Sequence, residues 1–137
     1  MPLKHIVCPV DGSDHALRAV AHAAQLAVAL KSRLTLLSVR PYVIGRSQVV
    51  EMVTPGEAAE ILAAAVKVAQ SHGAETPETV DFRARDVAFA IVDHAEREKA
   101  DLIVMGSAGK DAVRRFLLGS TSMDVLRKSV CPVTIVH

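Results

Sequence analysis

The residues best suited to chemistry form two short segments, rich in glycine and hydroxyl side chains, late in the chain. Gly106-Ser107-Ala108-Gly109 comes first, and Gly119-Ser120-Thr121-Ser122 follows after nine residues. Glycines let a backbone approach a ligand closely, and free N–H groups at a helix start attract an anion. Three hydroxyl side chains add donors beside those amides. The second segment, called the phosphate cradle below, therefore predicts a site for a phosphate-bearing ligand.

The residues between these segments bear on the same interpretation. Lys110, Arg114 and Arg115 are cations that could face a polyphosphate or lie in solvent. The plainer alternative is that the glycines make a tight turn and that Ser120 caps a helix. Two known phosphate-binding loops are excluded, because Lys110 is followed by Asp111 rather than Ser or Thr and no GxGxxG occurs.

A second candidate region follows the first apolar run. Asp11 offers acceptors for an amine or a hydroxyl, and the competing interpretation is an Asx turn with Ser13. His15, close by, is the histidine nearest to a site. None of the six histidines shows metal-ligand spacing, so no protein-held metal is expected.

Hydrophobic periodicity predicts alternating strands and helices. Strands are predicted at 3–10, 33–39, 79–83, 101–105 and 132–136, and helices at 14–31, 54–72, from about 86, and at 120–128. Residues 40–53 show neither period and are predicted to be a long connection. Alternation of this kind implies an α/β fold in which helices cover both faces of a parallel sheet, with one domain over residues 1–137. Ligands of such sheets bind beyond the carboxyl ends of the strands, where Asp11 and the phosphate cradle would meet.

Composition excludes several classes of partner. The net charge is +1 and aromatic residues are 3%, which argues against nucleic acid. No apolar stretch reaches the length of a membrane span, and no signal-peptide core is present. Cys8 and Cys131 are too few for a disulfide framework or a zinc motif, so reduced thiols in the cytoplasm are expected.

Three motifs together resemble a known family. The spacing Gly106-x2-Gly109-x9-Gly119-Ser120 is similar to the signature of the ATP-binding branch of the universal stress proteins. The segments 6–13, 100–107 and 131–136 resemble that family in order and spacing, so the likeness covers nearly the whole chain. Two departures are Arg85, where many members carry glycine, and Ala108, where a larger residue is usual.

The resemblance implies a three-layer α/β/α sandwich with a five-stranded parallel sheet of order 3-2-1-4-5, of the adenine nucleotide alpha hydrolase-like type. It also implies a nucleotide in the cleft between the first and fourth strands. Carried onto this sequence, the nucleotide-binding residues would be Pro9, Val10, Asp11, Val39, Met105, Gly106, Gly109, Gly119, Ser120, Thr121 and Ser122. The apolar Val10, Val39 and Met105 suit the face of an adenine ring.

The function expected from the residues and the resemblance is ATP binding, with slow or no hydrolysis, in a stress response. ADP or AMP could replace ATP, and Mg²⁺ would enter with the nucleotide. The alternative is a nucleotide-independent interaction or chaperone-like module. The final strand, Val133 to Val136, carries no protecting charge, so a homodimer paired through that edge is expected, as is usual in the family.

Overall fold

The computed structural model describes residues 2–108 and 118–137, in which strands and helices alternate along the chain. The strands are β1 (His5–Pro9), β2 (Arg33–Ile44), β3 (Val49–Glu51), β4 (Glu78–Ala84), β5 (Leu102–Gly106) and β6 (Val133–Val136). The helices are α1 (Asp14–Leu30), α2 (Pro55–Ser71), α3 (Val87–Arg97) and α4 (Ser120–Lys128).

The parallel part of the sheet has the order β4-β2-β1-β5-β6, which confirms the predicted order 3-2-1-4-5. In the register, Ile6 of β1 lies between Leu34 of β2 and Leu102 of β5. The chain builds outward from β1 to β2 and β4, and then from β5 to β6. The order therefore reverses between β1 and β5, which is the position where sheets of this type bind ligands.

The segment 40–53 differs from the prediction of an irregular connection. β2 continues past Val39 to Ile44, and the chain turns back as β3, which pairs antiparallel with β2. The described sheet therefore has six strands rather than the five predicted, and it is not wholly parallel. Val43 pairs with Val50, and the Gly45 N–H donates to the Gln48 carbonyl at 2.7 Å to close the turn. Apolar side chains occupy both faces of this ribbon, so the sequence lacks the alternation that indicates a strand.

Local capping sets the starts of the first three helices. The Ser13 hydroxyl accepts from the Ala16 N–H at 3.1 Å, and Asp86 caps α3. Thr54 and Glu57 form the reciprocal capping box of α2, in which each side chain accepts from the other's backbone N–H. These caps satisfy N–H groups that a helix start leaves without partners.

The core lies in two layers on either side of the sheet. α1 and α2 pack on one face with Ile6 and Cys8, and α3 and α4 pack on the other face with Val7. β1 alternates between the layers because successive strand residues point to opposite faces. α1 buries small residues against the sheet: Ala16, Ala19, Ala23, Ala24 and Ala27. In the described ranges, no helix combines the length and the apolar character that a bilayer crossing requires.

Candidate functional site

A cavity of about 470 Å³ opens at the carboxyl ends of β1, β2 and β5, where the strand order reverses. Its described lining comprises Pro9, Val10, Asp11, Ala16, Leu37, Val39, Pro41, Val87, Ile91, Met105, Gly106, Ala108, Gly119, Ser120, Thr121 and Ser122. The volume falls in the range of pockets that hold small molecules. The loop after β1 and the amino end of α4 border the same space, as the sequence predicted.

One wall of the cavity is apolar. Leu37 and Val39 come from β2, Met105 from the end of β5, and Val87 and Ile91 from the first turns of α3. Leu37 is fully buried and Met105 is 6% exposed, so these side chains belong to the core as well as to the cavity wall. A flat aromatic ring can cover this wall without burying an unpaired polar group.

The loop after β1 is held by two hydrogen bonds. The Val10 N–H donates to the Leu37 carbonyl at 2.8 Å, which extends the β1–β2 ladder to the cavity. The Ser13 N–H donates to Asp11 Oδ1 at 2.9 Å, so the Asx turn is present. Asp11 nevertheless lines the cavity, and the turn engages one of its two carboxylate oxygens. The structural interpretation of Asp11 and the binding interpretation are therefore compatible.

The phosphate cradle forms the first turn of α4. Gly119 is the N-cap residue and has no side chain with which to cap the helix, and the first intrahelical bond runs from the Met123 N–H to the Gly119 carbonyl at 3.0 Å. The amides of Ser120, Thr121 and Ser122 therefore start the helix without side-chain capping partners. These amides and the positive end of the helix dipole create a site for an anion.

The hydroxyls of the cradle differ in their surroundings. Ser120 is exposed and Thr121 is half-buried, and both line the cavity. Ser122 is 3% exposed, and its hydroxyl donates to the Gly106 carbonyl at 2.9 Å. That hydroxyl anchors α4 to the end of β5, so the Ser120 and Thr121 hydroxyls are the ones available to a ligand.

Ser107 connects the phosphate cradle to β6 by two backbone hydrogen bonds, a role that the sequence did not predict. Its carbonyl accepts from the Gly119 N–H at 2.8 Å, and its own N–H donates to the Val136 carbonyl at 2.8 Å. Ser107 is 1% exposed and does not line the cavity. Its place between two signature glycines was the available signal, but the sequence does not show which backbone partners it reaches.

Charge is sparse in the described lining. Asp11 is the single ionisable side chain among those lining residues, and no cluster of three potential metal ligands occurs within residues 2–108 and 118–137. An anion bound there would be held by backbone amides, hydroxyls and the helix dipole. Lys110, Arg114 and Arg115, the predicted cationic neighbours, lie outside the described residues.

The structure brings ten of the eleven predicted site residues to this cavity, and the eleventh, Gly109, lies outside the described residues. The lining residues that the sequence analysis did not identify are mainly apolar: Ala16, Leu37, Pro41, Val87, Ile91 and Ala108. Helical spacing indicated that Ile91 faces inward, but it did not show that this end of α3 borders the cleft.

Comparison with known proteins decides the family. The model of the universal stress protein family matches residues 2–137. This chain belongs to the universal stress protein family. The family resemblance of the three sequence motifs is thereby confirmed, and so is the α/β fold, with a mostly parallel sheet and, within residues 2–108 and 118–137, four helices.

Relatives of this universal stress protein match it over most of their length. Universal stress protein MJ0531 of Methanocaldococcus jannaschii is 34% identical over 140 residues, covering 97% of this chain and 81% of that protein. A universal stress protein solved in complex with cAMP is 31% identical with a TM-score of 0.78, covering 100% of this chain and 98% of that one. The universal stress protein of Archaeoglobus fulgidus, in complex with dAMP, is 27% identical with a TM-score of 0.72, covering 100% of both chains.

Proposed function

We propose that this universal stress protein binds an adenine nucleotide in the 470 Å³ cavity, with ATP as its main ligand and ADP or AMP as competitors. The observation that carries the proposal is that uncapped amides of α4 and an apolar wall share one cavity. A nucleotide has both parts, because an aromatic base suits the wall and a phosphate tail suits the amides. The cAMP and dAMP complexes of related proteins support the choice of adenine.

The orientation of the nucleotide follows from the two ends of the cavity. The base lies between Val10, Val39 and Met105, with Asp11 beside it as an acceptor. The phosphates lie at the cradle, where Gly119 permits close approach and the Ser120 and Thr121 hydroxyls donate. Gly106 borders the sugar, and Gly109, which the family resemblance also implies for nucleotide binding, lies outside the described residues.

Mg²⁺ enters with the nucleotide in this proposal. Mg²⁺ takes oxygen ligands and usually keeps several waters, with few ligands from the protein. The oxygens available in the described lining are the Asp11 carboxylate and the Ser120 and Thr121 hydroxyls, a set that fits an ion carried mainly by phosphate. Hydrolysis would need a positioned water as well as the metal. With one carboxylate in the described lining, we infer slow or no turnover and a sensing role in a stress response.

A homodimer paired through β6 completes the proposal. β6 pairs only with β5 in the described sheet, and its segment Val133–Val136 carries no charge. Val130, 77% exposed, and Leu126, 40% exposed, add apolar surface at the end of α4 just before it. At the other edge, Asp81 of β4 is in an ion pair with Arg40. Charged edges oppose strand pairing, whereas the β6 edge favours it.

The reduced state of both cysteines suits a protein of the cytoplasm, where we place it. Cys8 and Cys131 are both free, and Cys8 is buried.

The alternative function, a nucleotide-independent interaction module, is favoured by the exposed apolar residues of the β2–β3 hairpin, among them Val43, Ile44 and Met52. Nucleotide titration separates the two functions.

Isothermal titration calorimetry with ATP and Mg²⁺, ADP and AMP tests nucleotide binding. The double variant Ser120→Ala/Thr121→Ala should bind ATP about tenfold more weakly, because two donors to a charged group are lost. Gly119→Val, which brings a branched side chain to the cradle, should weaken it further. Ser71→Ala is the matched control, since that hydroxyl bonds the Val68 carbonyl within α2. Parent protein without affinity for any of these nucleotides would contradict the proposal and support the interaction module.

Sedimentation velocity tests the dimer. The parent should sediment at twice the mass of one chain, and Thr134→Lys should give the monomer because a charge then lies on the pairing edge. Thr79→Lys is the matched control, since Thr79 is an exposed residue of β4 at the other edge. A parent monomer, or equal loss of dimer in both variants, would contradict pairing through β6.

A further inference from the structure

Ser107 is the junction of three parts of the molecule. Its carbonyl holds the Gly119 amide of the cradle, and its N–H holds the Val136 carbonyl of β6, each at 2.8 Å. Its hydroxyl lies 3.1 Å from Nδ1 of His15, in the first turn of α1. Ser107 is 1% exposed, so its side chain lies within the protein. The position of its carbonyl, and so the direction of the Gly119 amide, depends on all three.

His15 receives a second contact from outside. The guanidinium Nη2 of Arg18 lies 3.2 Å from the same His15 Nδ1. A guanidinium can only donate, so Nδ1 is the acceptor in this contact. Ser107 and Arg18 thus face one lone pair, and His15 joins the buried hydroxyl to the exposed cation.

Arg18 closes the connection at the sheet edge. Its Nε donates to the His137 carbonyl oxygen at 2.9 Å, one residue beyond Val136 of β6. The contacts run from Ser107 to His15, from His15 to Arg18, and from Arg18 to His137. Because the Ser107 N–H also donates to the Val136 carbonyl, the contacts form a closed ring. A closed ring of hydrogen bonds restricts motion more than separate contacts do.

Close packing between Gly106 and His15 restricts the backbone on which this ring of hydrogen bonds is built. A Cβ on Gly106 would come 2.7 Å from the His15 carbonyl carbon and 2.9 Å from His15 Cβ. Gly106 directly precedes Ser107, so the backbone of α1 is in contact with the strand end next to the junction. The His15 backbone therefore has little room to move, and its imidazole contacts the Ser107 hydroxyl from a defined position.

We propose that His15, held by Arg18, is a positioning residue that orients the phosphate cradle through Ser107. This inference rests on the proposed nucleotide function for its effect on binding. His15 does not line the cavity, so it acts through Ser107 and Gly119 rather than on the ligand. Loss of the bridge lets Gly119 shift, which moves the free amides of Ser120 and Thr121 away from the phosphates, and it leaves the apolar wall for the base intact.

The test compares two replacements of His15. Asn places an amide oxygen near the position of Nδ1 and keeps an acceptor for Ser107 and Arg18, whereas Leu keeps the volume and removes the acceptor. His15→Leu should weaken ATP binding by about five- to tenfold and leave adenosine binding unchanged, because adenosine has no phosphate. His15→Asn should stay within about twofold of the parent for both ligands. Arg18→Met, an exposed site, should behave as a weaker form of His15→Leu.

A second measurement needs no ligand. Amide hydrogen exchange of the free protein, followed in peptides that contain Gly119, should be faster in His15→Leu than in the parent or in His15→Asn. Unchanged exchange, equal losses of ATP and adenosine affinity, or equal behaviour of the Asn and Leu variants would overturn the inference. If the parent binds no nucleotide, the proposed function fails, and the exchange result alone then decides the role of His15.

Discussion

Gly106 lies so close to the first turn of α1 that a Cβ on it would come 2.7 Å from the carbonyl carbon of His15. The same Cβ would come 2.9 Å from the Ala16 nitrogen. Both are backbone atoms of a packed helix, so they cannot rotate aside as a side chain could. The missing side chain of Gly106 therefore sets the spacing between β5 and α1 beside the cavity.

Gly106→Ala should lower the free energy of unfolding by about 1–3 kcal/mol, the usual cost of forcing an extra carbon into a packed site. Urea denaturation followed by circular dichroism measures the change. Gly56→Ala is the matched control, since the nearest atom to its Cβ would be Thr54 Oγ1 at 3.9 Å. That variant should gain up to about 1 kcal/mol from helix propensity. Equal effects of the two substitutions would contradict the steric role of Gly106.

Arg40 joins two acidic residues where the hairpin meets β4. Its Nε lies 3.0 Å from Asp81 Oδ2, its Nη1 lies 3.5 Å from Glu51 Oε1, and its side chain is 13% exposed. Arg40→Gln should lower the free energy of unfolding by about 1 kcal/mol, and by less in about 1 M NaCl. Arg97→Gln, which removes an exposed pair with Asp93, should cost at most about 0.5 kcal/mol. A larger decrease in the free energy of unfolding for Arg97→Gln than for Arg40→Gln would contradict this prediction.

His94 gives the stability a dependence on pH. The side chain is buried beside the Phe82 ring at 5.9 Å between centroids, and burial lowers the pKa of His94 below its ordinary value. The unfolded chain then binds a proton at this residue more readily than the folded protein does. The free energy of unfolding therefore decreases as the pH falls through the ordinary pKa of histidine. The decrease levels off once the pH is below the pKa of His94 in the folded protein.

His94→Leu should remove this dependence. Its free energy of unfolding should increase relative to that of the parent as the pH is lowered from about 8 to about 5. Chemical denaturation at several pH values measures the difference. His94 Nε2 is buried without a hydrogen-bond partner in the described part of the chain, so an apolar replacement also removes an unsatisfied nitrogen. A difference that does not change with pH would contradict the role of His94.

The two cysteines should differ in reactivity. Cys8 is fully buried, and burial raises the pKa of its thiol far above the ordinary value, so the thiolate is scarce. Cys131 is half-buried near the surface. N-ethylmaleimide should therefore add once to the folded protein, at Cys131, and twice in denaturant, as measured by mass spectrometry. Rapid modification of Cys8 under native conditions would contradict the packing of β1.

Local signals explain how much of the fold the sequence predicts. The predicted range 120–128 matches the observed bounds of helix α4, and the predicted range 54–72 begins at Thr54, the N-cap of α2. The β2–β3 hairpin was missed, because its identity depends on the pairing of Val43 with Val50 across the turn. Within the hairpin, residues 42–44 of β2 and 49–51 of β3 have no buried face, so the periodicity that reveals the other strands is absent there.

The site was predictable where it depends on topology. Parallel strands place their carboxyl ends together, so Asp11 and Gly119 could be expected at one cleft. The Ser107–Gly119 hydrogen bond and the place of His15 behind it depend on side-chain and backbone directions, which spacing does not reveal. The Ser122 hydroxyl shows the same limit, because its donation to Gly106 turns it away from a ligand.

The side chains of the α1 and α2 layer have less rotational freedom than those on the opposite face of the sheet, because many of them are alanines. Eight of them are buried in these helices: Ala16, Ala19, Ala23, Ala24 and Ala27 in α1, and Ala58, Ala65 and Ala69 in α2. An alanine side chain has no χ1 rotamer to exchange, so at these eight positions the layer can adjust only by movement of the helix backbone. Val87, Ile91 and Met105 on the opposite side have torsions that can adjust. We therefore expect the α3 side of the cavity to adjust to a bound molecule more readily than the α1 side, where Ala16 lines it.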